Sequence, residues 1–201
     1  VNAPSAEDFA EALAALRRGG VVVFPTETFY GLAADALESA AVERVVALKG
    51  RTAGSPIAVI IADRAMLSEI AADVSPLAEK LIARFWPGPL TLVLPAKKNL
   101  PAPLLNVEGK IGVRVSSHPV ATRLTHGLGR PITATSANPT GQEAARTVSE
   151  ARKYFADRID IYLDGGTLTA QNPSTVVEMI GDRLRILREG AIRSEALREV
   201  R

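Results

Sequence analysis

Apolar residues recur along the chain with two periods, and the switches between them predict the order of elements. In "SAEDFAEALAALRRGG", Phe9, Leu13 and Leu16 share one helical face, Ser5 with Asp8 resembles a capping box, and Gly19 and Gly20 end the run. Residues 21–24, "VVVF", form an unbroken run of β-branched and aromatic side chains that suits a buried strand. A helix is predicted over 39–49, where Val42, Val45 and Val46 fall at helical spacing before Gly50. "PIAVIIA" (56–62) reads as a second buried strand. Ser75 and Pro76 stand in cap and first-turn order ahead of Leu77, Leu81, Ile82 and Phe85, and "WPGP" breaks that helix. "LTLVLP" and "KIGVRV" read as strands, Pro119 opens a short helix through Leu124 and Leu128, and 131–135 is a strand. Thr147 with Glu150 caps the helix "TVSEARKYF", after which "IDIYL", "STVVEMI" and "LRILREG" are strand-like runs parted by "DGG" and "GDR" turns.

Helices and strands thus alternate for most of the length before strands take over, which predicts an α/β fold with helices packed on a mixed sheet. No repeat, low-complexity stretch or linker divides the chain, so one domain is expected over 1–201.

Composition narrows the classes. With 47% hydrophobic residues the chain can bury one sizeable core, yet no run approaches the roughly 18 apolar residues of a membrane span. The start, "VNAPSAEDFAEAL", is acidic and amphipathic rather than leader-like, so a soluble cytoplasmic protein without membrane contact is expected. There is no cysteine, which excludes disulfides and thiolate metal sites, and only His118 and His126 are available as imidazole ligands. Any metal is therefore expected to arrive with a substrate. Twenty-four basic against 22 acidic residues give a net charge of +2, weak support for a nucleic-acid surface, and 4% aromatic content leaves few stacking platforms.

Three predicted strands empty into loops rich in small polar residues: "PTET" after 21–24, "SANPTG" after 131–135, and "NPST" ahead of 176–180. Such loops simply make turns, or they converge as a ligand site beyond strand ends. Arg114 inside "IGVRVSS" and Arg188 at the end of "LRILREG" are cations within strands, suited to a carboxylate or phosphate; for Arg114 the alternative is an outward position on a half-exposed sheet. Lys49 in a helix's last turn suits the dipole without further duty. Neither GxxxxGK[ST] nor GxGxxG is present, nor are GxSxG and HExxH, so a phosphate ligand would be held by dispersed cations and hydroxyls. His118 before Pro119 suits a helix cap, and Trp86 in "FWPGP" a core and turn anchor.

Taken in order, "FPTETFYGLAADA", "LKGR", "PIAV", "RFWPGPLTLVLP", "GVRVSSHP", "TATSANPTG", "DGG", "PSTVV" and "ILREGAI" resemble the YrdC-like family, the threonylcarbamoyl-AMP synthases, over residues 8 to 193. The resemblance implies a YrdC-like twisted mixed β-sheet with helices packed on it and a large concave cavity. It implies condensation of L-threonine, bicarbonate and ATP to threonylcarbamoyl-AMP and pyrophosphate, with Mg²⁺ carried on ATP. Other threonylcarbamoyl-transfer proteins would then modify tRNA beside the anticodon, with a possible tRNA contact. Matched motif by motif, Lys49, Arg51, Ser55, Ser136, Asn138 and Arg188 fall at ATP-binding positions, and Thr28, Arg114 and Ser174 at threonine-binding ones; no catalytic acid or base is implied.

The chain departs from the family pattern in places. Thr52, Ser55 and Ile57 replace the more usual residues after "KGR", Ile60 stands where some members place a threonine-contacting His, and Ser116 replaces a common Pro, which reads as a mild exchange. Because the sequence stops soon after "REGAI", it matches the single-domain form. An RNA-binding YrdC-like module without turnover is the alternative, as is a domain using carbamoyl phosphate.

Overall fold

The computed structural model describes residues 3–50 and 55–200; Arg51 and Thr52 fall outside them. Chain order is α1 (Ala6–Arg17), β1 (Val22–Phe24), β2 (Gly31–Ala33), α2 (Ser39–Lys49), β3 (Val59–Ile60), α3 (Leu67–Ile70), α4 (Pro76–Phe85), β4 (Leu90–Pro95) and β5 (Lys110–Arg114). It continues with α5 (Pro119–Leu128), β6 (Ile132–Thr133), β7 (Thr135–Ser136), α6 (Val148–Phe155), β8 (Ile161–Tyr162), β9 (Thr175–Ile180), β10 (Arg183–Arg188) and α7 (Ser194–Arg198). The helix signals act as read: both capping boxes form, at Ser5–Asp8 and Thr147–Glu150, and Ser75 Oγ accepts from the Ala78 N–H with Pro76 in the first turn.

The strands form two mixed sheets, where the sequence suggests one. A four-stranded sheet runs β7-β2-β1-β8 and a six-stranded sheet β10-β9-β4-β5-β3-β6. The expected strand 131–135 is the seam. Ile132 pairs with Ile60 of β3 and the Ala134 N–H still donates to Ala58 O in that register, whereas Thr135 pairs with Leu32 of β2. The expected strand 56–62 is likewise cut to Val59–Ile60: Ile61 N donates to Arg114 O at the end of the β5 ladder, while the buried Ile57 N–H turns to Pro103 O outside it.

Strand β1 is buried on both faces, as its unbroken apolar run requires. Val21 and Val23 enter the larger core with Leu32, Val42, Leu81 and Leu92, while Val22 and Phe24 face Phe9 and Leu16 of α1 and Val120 and Leu124 of α5. Ile60 belongs to this second core, as Phe24 does, and is fully buried. Placing β1 between two cores fixes its C-terminal end, the place where the chain turns polar.

Candidate functional site

A cavity of about 630 Å³ opens between the two sheets, walled by Phe24 and Gly31 of one and by Thr91, Gly112, Arg114 and Val176 of the other. All three polar loops reach it. In the loop after β1, Thr26 Oγ1 donates to Phe29 O at 2.7 Å and accepts from Thr28 N at 3.1 Å. A hydroxyl has one hydrogen, so the 3.0 Å contact between the two threonine oxygens uses the hydrogen of Thr28. Thr28, 6% exposed and in the cavity wall, therefore offers lone pairs to a ligand that donates, such as an ammonium.

Arg114 ends β5 with its side chain 8% exposed, and its Nη1 donates to Glu27 Oε1 at 2.6 Å. The other Glu27 oxygen accepts from Ser116 Oγ, which in turn accepts from His118 N at 3.2 Å. Ser116 is thus a hydrogen-bond donor to Glu27 behind Arg114. Burial pushes the Arg114 guanidinium below its usual value, with the Glu27 charge opposing. His118 caps α5 as expected, Nδ1 accepting from Val120 N at 3.2 Å; burial lowers its pKa against the pull of Glu27, which keeps the imidazole in the acceptor form the cap needs.

Arg188 reaches the cavity through a β-bulge. Ile186 pairs with Val177 and Arg188 with Val176, so Leu187 is an extra residue in β10. Strict alternation would send Arg188 to the side of Leu184 and Ile186, which pack on the core; the bulge turns it to the cavity side with Leu187. Its guanidinium donates to Ser174 O at 2.9 and 3.1 Å and to Ser174 Oγ at 3.2 Å, and Ser174 Oγ lies 3.0 Å from Thr91 Oγ1. The turn that follows has to be Gly190, since a Cβ there would stand 2.2 Å from Pro173 O. No carboxylate pairs with Arg188 among the described residues. Partial desolvation and then the like charge of Arg114 push its pKa down, which marks two guanidiniums facing one space.

Six of the expected residues therefore line one cavity: Thr28, Arg114, Ser136, Asn138, Ser174 and Arg188. Arg188, expected on the nucleotide side, bonds Ser174, expected on the threonine side, so the two subsites share a wall. Lys49 is 3% exposed behind that wall, where Nζ donates to Ser136 O at 2.7 Å and Asn138 Oδ1 at 3.2 Å; it shapes the loop rather than only meeting the dipole of α2. Asn138 spends its amide hydrogens on Pro139 O and Gln142 O. Ser55 is exposed and is not part of the wall, and Arg51 lies outside the described residues. The role of Glu27 was not read from the sequence; the signal was present in an acidic residue between two threonines at a buried strand's mouth.

The model of the family Sua5/YciO/YrdC, described as "Telomere recombination", matches residues 14–190. The chain belongs to this family. A threonylcarbamoyl-AMP synthase of Thiobacillus denitrificans is 39% identical over 82% of this chain and 87% of its own, and that of Pyrococcus abyssi is 37% identical over 92% of this chain and 54% of its own. The crystal structure of P. abyssi Sua5 complexed with L-threonine superposes with a TM-score of 0.92 at 36% identity, covering 96% of this chain and 56% of that one. This Sua5/YciO/YrdC member thus spans little more than half the length of its P. abyssi relative and most of the T. denitrificans one.

Proposed function

We propose that the chain is a threonylcarbamoyl-AMP synthase, condensing L-threonine, bicarbonate and ATP. The observation that carries this reading is the pair of guanidiniums, Arg114 and Arg188, facing one cavity with a single carboxylate, Glu27, among their partners in the described residues. Such a cavity is short of negative charge and suits a ligand set with a carboxylate and phosphates. The acceptor face of Thr28 suits the amino group of the same amino acid. Relatives named threonylcarbamoyl-AMP synthase and a homologous structure holding L-threonine support the assignment.

In the proposed reaction the neutral threonine amine bonds to the carbon of bicarbonate and water leaves, forming a carbamate. A carbamate oxygen then bonds to the α-phosphorus as the bond to pyrophosphate breaks. Arg114 with Ser174 would hold the carboxylate, Arg188 would meet the α-phosphate across the shared wall, and the Ser136–Asn138 loop with Arg51 would take the nucleotide. Displacement at phosphorus needs positioning and charge neutralisation above all, which these cations supply. No cluster of three His, Asp or Glu side chains that could hold a metal occurs among the described residues, and Mg²⁺ would enter on ATP as part of that substrate. The product would pass to proteins that transfer the threonylcarbamoyl group to tRNA. No helix among the described residues is long and apolar enough to cross a membrane, and we place the reaction in the cytoplasm. The test is pyrophosphate release from Mg-ATP with threonine and bicarbonate added singly and together. Release only with both is expected; release with neither, or none at all, overturns the reading.

A further inference from the structure

Two guanidiniums in one cavity raise a sorting problem, because either one could hold a carboxylate or a phosphate. Their surroundings differ. Arg114 is buried and carries its own counter-ion: Glu27 receives Nη1 at 2.6 Å and is itself held by Ser116. Arg188 stands in the open part of the wall with the Ser174 carbonyl and hydroxyl as its acceptors among the described residues. Counting formal charge, the Arg114–Glu27 unit is neutral and the Arg188 unit is +1.

We propose that Glu27 is a positioning and specificity-determining residue: it locks the Arg114 guanidinium toward the cavity and cancels its charge, so that this end takes the carboxylate of a zwitterionic amino acid and refuses a phosphate-like dianion. This rests on the synthase reading. Glu27 is absent from the cavity wall, so it acts through Arg114 rather than on the ligand. Arg114 makes no other hydrogen bond to protein among the described residues, so its remaining donors are free for a carboxylate once Nη1 is tied back. A neutral unit attracts an amino acid, whose two charges cancel, without concentrating dianions at the same point. The phosphates are left to the end where a positive charge has no counter-ion.

The experiment titrates L-threonine and inorganic sulfate separately into the wild-type protein and into Glu27→Gln, Glu27→Asp and Glu27→Gln/Arg114→Gln, by calorimetry, with circular dichroism as the check on folding. Glu27→Gln is expected to weaken threonine about tenfold or more and to tighten sulfate by a similar factor. A residue that only stabilised the fold would weaken both ligands together. Glu27→Asp keeps the charge and gives up reach, so it should lose threonine affinity while still excluding sulfate; it serves even if Glu27→Gln does not fold. In the double variant the sulfate gain should vanish, since the cation that attracts it is gone. Equal sulfate affinity in wild type and Glu27→Gln overturns the inference, as does a Glu27→Asp protein that admits sulfate more tightly than wild type. Wild-type protein that binds no threonine overturns the synthase reading instead, while the sulfate titrations still decide the selectivity.

Discussion

The two ends of strand β5 hold cations in opposite ways. Lys110 at its start and Arg114 at its end are about 13 Å apart along the strand, and both line the same cavity. Around Lys110 charge is balanced: Nζ lies 2.8 Å from Glu178 and 2.6 Å from Glu108, and Arg185 also pairs with Glu178, giving two cations for two carboxylates. Around Arg114 there are two guanidiniums and one carboxylate. Burial alone would raise the pKa of Glu178, but hydrogen bonds from Lys110 and Arg185 outweigh it and hold the carboxyl below its usual value, as a satisfied network does. A cation in a strand is therefore no sign of binding by itself; an excess of cations over carboxylates around one cavity is.

The sharpest way to break the comparison is Arg114→Ala. Losing a charged hydrogen bond of about 1.5–3 kcal/mol should raise the threonine requirement on the order of 10- to 150-fold while leaving ATP binding near normal. Equal loss of both ligands, in separate titrations, would make Arg114 a shared or structural group. Next in size, Glu178→Gln should cost about 1–3 kcal/mol of unfolding free energy in urea without changing threonine affinity, because Arg185 is 55% exposed and can rehydrate. Weakened threonine use with unchanged stability would place that end in the binding site.

The two ends should also fail at opposite extremes of pH. Glu178 has a depressed folded pKa, so its contribution is present above the unfolded value of about 4.5 and is lost as pH falls through the folded one. Behind the threonine end, Tyr30 donates to Gly166 O at 2.7 Å and accepts from Gly165 N at 2.9 Å. Burial, opposed by the Gly165 N–H and aided by the Asp164 charge, raises its pKa from 10.0 to about 12. The folded state then binds the extra proton, so this contribution is complete below pH 10 and falls as pH rises toward 12. At about 1.4 kcal/mol per pKa unit it amounts to no more than roughly 3 kcal/mol, and Tyr30→Phe should lack that alkaline decline in thermal scans. The smallest expected effect is at Ser55, exposed and outside the wall: Ser55→Ala should change ATP use by less than about threefold, and a larger loss in steady-state kinetics would bring its loop into the site.

Local signals made helices legible. Caps at Ser5, Ser75, His118 and Thr147 act on amides within the same few residues, so the sequence alone determined where α1, α4, α5 and α6 begin. The buried nature of "VVVF" and the polar loops after it were likewise readable, as were six residues of the cavity wall. Strand lengths were less so, because 131–135 is divided between β3 and β2 and 56–62 is shortened where Ile57 N turns to Pro103 O, partners far along the chain.

What only the tertiary structure decided is which charges remain unpaired and which way they face. Nothing in "LRILREG" announces the bulge that turns Arg188 into the cavity, and nothing in "PTET" or "VRVSS" says that Glu27 meets Arg114 across 87 residues. Periodicity and capping are short-range and are written in neighbouring residues. Charge compensation depends on distance in space, and that is known only once the end of β1 in one sheet and of β5 in the other meet around one cavity.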